Sequence, residues 1–318
     1  MKPLAVSMGD PAGIGLELAA RAWEARASLP SFFVVGDKAA LARAAARIGV
    51  DVSECPVRET PLAIEEAPGT PNNANAPATI AAIEHGVSAV KSGEASALVT
   101  LPIAKHVLAS AGFGFPGHTE FIAHLTASDP WPHARGPVML LAGPTLKVAL
   151  VTIHTPLADV PGKLTRDLIA NTARVLGEAL QRDFGIAGPR IAVCGLNPHA
   201  GEDGTIGREE IEIINPAAAA LRTEGWTVSD ATSADALFNS EARQRYDAAI
   251  ALYHDQGLIP IKTLHFWDAA NITLGLPIIR TSPDHGTGFD IAGKGVARPD
   301  SFFAAMRMAS EMAERRAS

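Results

Sequence analysis

The sequence predicts an α/β fold in which largely parallel sheets are covered by helices on both faces, as two lobes or one large domain. Short runs that are apolar throughout are bounded by Gly, Pro or Asp, as expected for strands buried on both faces. They alternate with longer Ala-rich segments of helical periodicity. Hydrophobic residues make up 47% of the 318 residues, which is enough for a well-buried core.

The predicted strands are Leu4–Met8, Phe32–Val35, Ala97–Thr100, Val138–Ala142, Val148–Ile153, Ile191–Leu196 and Ala248–Tyr253. The predicted helices are Glu17–Ala27, Lys38–Ile48, Leu164–Leu180, Glu209–Thr223 and Ser301–Ala313. The stretch from Ala67 to Ala78, rich in Pro, Asn and Ala, is predicted to be a surface loop. Because ligands collect at the carboxyl ends of parallel strands, the polar residues that follow these runs are the candidates for a site.

Composition excludes several classes of protein. A net charge of −7 offers no electrostatic case for nucleic acid as the main partner, although a local basic cluster can still bind an anionic substrate. Cys55 and Cys194 do not form the pattern of a secreted disulfide framework, so two inert thiols in a reducing compartment are expected. Without an apolar signal-peptide region or a run of about 18 apolar residues, a cytoplasmic protein with no membrane contact is expected.

Three histidines follow apolar runs: His154, His199 and His254. Imidazole is a ligand for zinc and similar divalent ions, and a catalytic metal site keeps one position open for water or substrate. The alternative for each histidine is a purely structural hydrogen bond at a strand end. Their spacing matches no local zinc motif and does not show whether the three side chains converge.

Two Gly-rich segments fall near the start of helices. Residues 9–15 could receive an anion at a helix N-terminus or form an ordinary tight turn. Residues 112–117 match the formal dinucleotide pattern, but a predicted helix precedes them and Pro116 interrupts them, so that interpretation is rejected. His118 and Thr119, which come next, could donate hydrogen bonds to a phosphate or cap the following helix.

Basic residues flank the last apolar run. Lys262 lies before it and Arg280 ends it, a pattern that favours capture of a phosphate or carboxylate, with surface cations as the alternative. Residues 282–295 form a Gly-rich loop that contains His285, Thr287 and Asp290. This loop could cradle an adenosine through backbone groups, or it could be a long polar turn.

The motifs at residues 9–15, 117–120, 195–202, 253–257 and 271–286 occur in one order along the chain. Together they resemble the 4-hydroxythreonine-4-phosphate dehydrogenase family of pyridoxal phosphate biosynthesis, and residues 284–295 are similar to the NAD loop of isopropylmalate and isocitrate dehydrogenases. The resemblance implies an isopropylmalate dehydrogenase-like fold of two α/β/α lobes with mainly parallel sheets and a cleft between the lobes. Residues 1–125 plus 270–318 would form the NAD side, and residues 126–269 the metal and dimer side.

The resemblance also implies roles for individual residues. His154 and His199 would bind one divalent metal (zinc, cobalt, magnesium, manganese or nickel) together with His254 of the partner subunit in a homodimer. The implied substrate-binding residues are His118, Thr119, Lys262, Asn271 and Arg280. The implied residues for NAD or NADP are His285, Gly286 and Asp290, and the candidates for proton transfer are Lys262 and Asp235. Leu16 stands where the family usually has a proline. This difference affects the first turn of the helix rather than the chemistry.

The implied reaction is oxidation of 4-phosphooxy-L-threonine with decarboxylation to 3-amino-2-oxopropyl phosphate. A 4-phospho-D-threonate or erythronate dehydrogenase of sugar-acid catabolism is the near alternative, since its metal and phosphate positions would be the same. Leu258 and residues 292–295 favour the pyridoxal pathway. A phosphate acyltransferase and a non-catalytic phosphosugar-binding protein are remote alternatives, because neither needs three histidines at strand ends.

Overall fold

The computed structural model describes residues 2–317. The strands are β1 (Leu4–Ser7), β2 (Phe32–Gly36), β3 (Val57–Glu59), β4 (Leu98–Thr100), β5 (Val138–Ala142), β6 (Lys147–Leu150), β7 (Arg190–Cys194), β8 (Thr227–Thr232), β9 (Ala248–Ala251), β10 (Ala270–Leu274) and β11 (Arg280–Pro283). The α-helices are α1 (Gly15–Glu24), α2 (Lys38–Arg47), α3 (Ala76–Lys91), α4 (Lys105–Ser110), α5 (His118–Leu125), α6 (Val160–Lys163), α7 (Arg166–Arg182), α8 (Asn215–Thr223), α9 (Ala234–Leu237), α10 (His254–His265) and α11 (Asp300–Ala317). The predicted alternation of strands and helices is confirmed.

The first of two compact units contains the chain up to Pro130 and from Pro277 onward. Its strands lie in the order β3-β2-β1-β4-β11, and every neighbouring pair is parallel. Helix α3 packs on β1 and β2, and α11 packs on β11 and β4. Strands β1, β2 and β4 are buried along their whole length, which explains why they are apolar throughout rather than alternating.

The second unit runs from Trp131 to Leu276, with strand order β10-β5-β6-β9-β7-β8. The pairs from β6 to β8 are parallel, whereas β5 runs antiparallel to both β10 and β6. Helices α7 and α10 contact this sheet. The fold of mainly parallel strands with helices is therefore confirmed, with one reversed strand. The predicted domain boundaries at residues 125 and 270 stay a prediction.

The two longest helices that were not predicted are α3 and α10, and each contains a proline. Helix α3 begins at Ala76 with Pro77 in its first turn, so the predicted loop from Ala67 to Ala78 is wrong at its end. Proline fits a first helical turn because the N–H group there has no helical partner. Helix α10 contains Pro260 in its interior, where proline normally argues against a helix. No helix within residues 2–317 is both long and apolar enough to cross a membrane.

Candidate active site

In the second unit, four polar side chains follow four neighbouring parallel strands. His154 follows β6, His254 begins α10 after β9, His199 lies in the turn after β7, and Asp235 lies in α9 after β8. Because β6, β9, β7 and β8 are adjacent and parallel, these residues lie along the carboxyl edge of one sheet. The ring centroids of His154 and His254 are 5.9 Å apart. The sheet thus brings the predicted metal ligands to a single edge.

Buried side chains join the ends of these strands. The Gln256 Oε1 atom accepts a hydrogen bond from the Leu252 backbone N at 2.7 Å, and its Nε2 atom donates to the Gly195 carbonyl at 2.7 Å. The Thr152 hydroxyl donates to the Leu252 carbonyl at 2.7 Å. The ends of β6, β9 and β7 are therefore fixed relative to one another. The sequence interpretation assigned no role to Gln256, although it lies two residues after His254.

The turn that carries His199 has an uncommon backbone conformation. His199, Ala200, Glu202 and Asp203 have φ angles of 52°, 53°, 42° and 53°, in the left-handed region. For residues other than glycine this region costs about 1–2 kcal/mol per residue. Such a turn persists only where the surrounding structure holds it, and strained backbone of this kind is typical of functional sites.

Glu210 holds this turn in place. Its side chain is 1% exposed, and its Oε1 atom accepts hydrogen bonds from the backbone N atoms of Leu196 and Asn197, both at 2.8 Å. Its Oε2 atom accepts from Asn197 Nδ2 at 2.9 Å. A Cβ atom on Gly201, where φ is +81°, would lie 2.7 Å from Glu210 Oε2. Glu210 was missed because its segment was interpreted only as part of an Ala-rich helix.

Carboxylates lie near two of the histidines. His254 Nδ1 lies 2.7 Å from Asp255 Oδ1, so a proton on Nδ1 would leave Nε2 free to bind a metal. A hydrogen bond from the Ser233 hydroxyl, with a smaller effect from His199, lowers the pKa of Asp235. Asp235 is therefore an ionised carboxylate beside His199. Within the single chain, residues 2–317 contain no group of three His, Cys, Asp or Glu side chains close enough to hold a metal.

In the first unit, Arg280 is a buried cation. Its side chain is 3% exposed, and its Nε and Nη2 atoms donate to the Thr100 hydroxyl at 3.1 and 2.7 Å. Burial lowers the pKa of Arg280 to about 10, and the nearby charge of Glu120 opposes that shift. The guanidinium remains charged at neutral pH, so it provides a binding position for an anion.

His118 lies beside this cation at the start of α5. Its Nε2 atom is buried without a hydrogen-bond partner. Burial, with smaller contributions from Arg280 and Lys105, lowers the pKa of His118 well below its usual value, so the imidazole is neutral. The helix cap is Gly117, and no side chain caps the first turn. The capping alternative for His118 and Thr119 is therefore wrong. Lys105 and Thr100 are members of this cluster that the sequence interpretation missed.

Lys262 and Asn271 belong to the second unit. Lys262 is partly buried on α10, with its Nζ atom 5.6 Å from the centre of the Phe266 ring. Asn271 lies in β10, and its Oδ1 atom is buried without a hydrogen-bond partner. Leaving such an acceptor unsatisfied costs about 1–3 kcal/mol, which a donor group on a ligand would recover.

The predicted cofactor loop lies in the first unit and is exposed at His285, Gly286 and Asp290. It packs on the turn formed by residues 9–15, where the Ile14 backbone N donates to the Thr287 carbonyl at 2.9 Å. A Cβ atom on Gly13 would lie 2.8 Å from that carbonyl oxygen, so close packing alone explains this glycine. The dinucleotide pattern at residues 112–117 is correctly rejected, since helix α4 precedes it.

Comparisons with known proteins agree with the resemblance. A model of the family described as pyridoxal phosphate biosynthetic protein PdxA matches residues 28–309. The chain is 53% identical over 328 residues to 4-hydroxythreonine-4-phosphate dehydrogenase of Caulobacter vibrioides, covering 99% of this chain and 98% of that protein. The protein of the same name from Maricaulis maris is 52% identical, with 100% and 99% covered. A crystal structure of the Klebsiella pneumoniae enzyme of that name is 36% identical with a TM-score of 0.87, covering 98% of this chain and 100% of that one. This chain belongs to the PdxA family of pyridoxal phosphate biosynthetic proteins.

Proposed function

We propose that this protein is an NAD(P)-dependent and metal-dependent 4-hydroxythreonine-4-phosphate dehydrogenase. It oxidises 4-phosphooxy-L-threonine and releases CO₂ to give 3-amino-2-oxopropyl phosphate, a step of pyridoxal phosphate biosynthesis. The observation that carries the proposal is the placement of His154 and His199 after parallel strands at one sheet edge, with the partly exposed His254 at the start of α10, a helix that also has an exposed apolar surface. Relatives that are about half identical along the whole chain and have this name support the choice of substrate.

His154 and His199 of one chain, with His254 of the partner subunit, would hold the divalent metal. Imidazole donors at one sheet edge suit zinc, cobalt or nickel, and manganese and magnesium are the other candidates. The Asp255 carboxylate beside His254 is the outer partner that metal-binding histidines usually have. When bound, the metal would supply Lewis-acid polarisation of the substrate hydroxyl and of the keto group formed from it.

A homodimer is part of the proposal, and an exposed apolar surface supports it. Ile259 on α10 is 64% exposed, and Phe266 and Trp267 at the end of this helix are 58% and 47% exposed. Neighbouring large apolar side chains in solvent are typical of protein–protein interfaces. Because α10 also carries His254 and Lys262, a second copy seated on this surface would contact the site.

Arg280, His118 and Thr119 would bind the substrate phosphate. A buried guanidinium and a neutral imidazole with an unpartnered nitrogen supply charge and hydrogen bonds for phosphate oxygens. Asn271 would accept a hydrogen bond from the substrate. Lys262 and Asp235 are the candidates for proton transfer, and Asp235, whose pKa is lowered by the Ser233 hydroxyl, is the one that is an ionised carboxylate able to accept a proton. The nicotinamide cofactor, which accepts the hydride, would bind at the loop containing His285, Gly286 and Asp290.

A substrate panel tests the reaction. The purified protein is incubated with NAD, each divalent metal in turn, and 4-phosphooxy-L-threonine, 4-phospho-D-threonate or 4-phospho-D-erythronate, while NADH and CO₂ are measured. We expect the highest kcat/KM, with equal yields of NADH and CO₂, for 4-phosphooxy-L-threonine. A preference for either sugar acid would assign the protein to the alternative activity.

Variants test the assigned residues. His199→Ala is expected to lose bound metal, measured by elemental analysis, together with activity, whereas His85→Ala on the exposed face of α3 should retain both. Arg280→Met is expected to lower kcat/KM by about 100-fold or more, since charge-assisted bonds contribute about 1.5–3 kcal/mol each. Arg26→Gln, at an exposed arginine of the same unit, is the control. Full activity and full metal content in His199→Ala would contradict the metal assignment.

The dimer is tested separately by light scattering after size-exclusion chromatography. Phe266→Glu should give a monomer with little activity, because burying the new carboxylate in the interface is unfavourable. Ile64→Glu, at a residue 44% exposed in the first unit, should remain dimeric. An active Phe266→Glu monomer would show that the site does not need a partner subunit.

A further inference from the structure

The second unit has a further cavity of about 190 Å³ at the amino edge of its sheet, the edge opposite to the histidines. Thr145, Lys147, Ile186, Arg243, Tyr246 and Asp247 contribute to its lining. Lys147 is the first residue of β6, and Asp247 immediately precedes β9, so both lie where parallel strands begin. The cavity is therefore not part of the candidate active site. We propose that it binds a small phosphate-bearing anion between Lys147 and Arg243.

The cavity has two cationic side chains in its lining, Lys147 and Arg243, and one carboxylate, Asp247. Arg243 Nε is buried without a hydrogen-bond partner. Lys147 is partly buried, and this burial lowers its pKa, an effect that the nearby charge of Asp247 opposes. Asp247, the carboxylate of the cavity, already accepts bonds from the Arg190 backbone N at 2.7 Å and from Arg190 Nε and Nη2 at 3.2 and 3.0 Å. A bound anion would pair with both cations.

The shape and charge of the cavity favour phosphate. Two separate cations match a dianion better than a single carboxylate does, and a guanidinium edge fits two phosphate oxygens. The Tyr246 hydroxyl donates to the Leu237 carbonyl at 3.1 Å, so the cations remain the main ligands. A cavity of about 190 Å³ exceeds the size of inorganic phosphate, so a short organic group can accompany it beside Ile186.

Hydrogen bonds hold Arg243 in place. Its Nη1 atom donates to the Thr145 hydroxyl at 2.7 Å, and that hydroxyl lies 2.8 Å from His265 Nε2. The Thr145 backbone N also donates to His265 Nε2 at 3.2 Å. His265 is the last residue of α10, whose first residue is His254. The anion site is thus preorganised, and it is connected to the opposite end of the helix that begins in the candidate active site.

Calorimetric titration of the full-length protein with inorganic phosphate tests the site. We expect two phosphates per chain in the wild type, one at Arg280 and one at this cavity. Arg243→Gln and Lys147→Gln should each weaken phosphate binding at the cavity at least tenfold. Arg245→Gln, at an exposed arginine two residues away, should not weaken it. Arg280→Met should lose only the phosphate that binds at Arg280. Failure of the proposed activity and failure of the cavity site therefore give different results. Unchanged binding in both cavity variants would overturn the proposal.

Two further measurements complete the test. A titration with O-phosphoserine distinguishes the ligand source, because tighter binding than inorganic phosphate indicates a phosphorylated metabolite and equal or weaker binding indicates free phosphate. Wild-type crystals soaked in selenate should show an anomalous peak between Lys147 and Arg243. That measurement does not depend on the folding of any variant, and the absence of a peak there would refute the site.

Discussion

Replacing Glu210 is expected to destabilise the turn that carries His199. Glu210→Ala removes the acceptor of two backbone N–H groups, those of Leu196 and Asn197, each 2.8 Å from Oε1. An unpaired buried donor costs about 1–3 kcal/mol, so the free energy of unfolding should fall by about 2–6 kcal/mol. Urea unfolding followed by circular dichroism measures this loss. Because the left-handed turn also loses its support, we expect the proposed metal binding through His199 to weaken as well.

Two further substitutions show whether the hydrogen bonds are the cause. Glu210→Gln retains a carbonyl oxygen for the two N–H groups but places an NH₂ group against Asn197 Nδ2, so an intermediate loss of about 1–2 kcal/mol is expected. Glu212→Ala removes an exposed carboxylate paired with Arg208 and should change stability by less than about 0.5 kcal/mol. If Glu210→Ala is no less stable than Glu212→Ala, the reasoning about this turn is refuted.

Three other outcomes are expected. The folded-state pKa of His118 lies well below the unfolded value of 6.5, so the unfolded chain binds a proton first as pH falls and stability decreases below that pH. The slope should approach about 1.4 kcal/mol per pH unit, and His118→Gln should flatten it in urea titrations across that range. Burial raises the pKa of Cys55 to about 11 and of Cys194 to about 12. Iodoacetamide should therefore label neither thiol before unfolding, and labelling of the native protein in mass spectra would contradict this. Gly143→Ala places a Cβ atom 2.5 Å from His265 Cγ and should lower the free energy of unfolding by about 1–3 kcal/mol, measured by thermal unfolding. An unchanged Tm would show that the His265 ring moves without cost.

The strands could be predicted because a strand that is buried on both faces is apolar throughout, and such a run does not have the periodicity of a helix. His154, His199 and His254 could therefore be placed at strand ends from the sequence. Their order along the sheet edge could not, because β9 lies between β6 and β7 in space but follows both in the chain. Pairing of this kind depends on crossover connections, which leave no local signal in the residues of the strands.

Other features of the site depend on tertiary contacts. The left-handed turn includes Gly201, but its other members, His199, Ala200, Glu202 and Asp203, are not glycine, so its composition indicates its conformation only at one position. It forms because Glu210 supplies acceptors from another segment. The family of the protein was nevertheless identified correctly, since its motifs span the whole chain and do not depend on the geometry of any one turn.

In this protein, buried polar atoms that have no hydrogen-bond partner distinguish candidate ligand-binding residues from residues with a purely structural explanation. Gly13 was open to interpretation as part of an anion site or of an ordinary turn, and the approach of the Thr287 carbonyl accounts for it without a ligand. His118 differs, because packing buries its Nε2 atom and supplies no partner, and the same holds for Asn271 Oδ1. Folding gains nothing from leaving such atoms unpaired, so they are best explained by a ligand that pairs with them. Arg243 Nε meets the same criterion outside the candidate active site, and for that reason its cavity is assigned a ligand of its own.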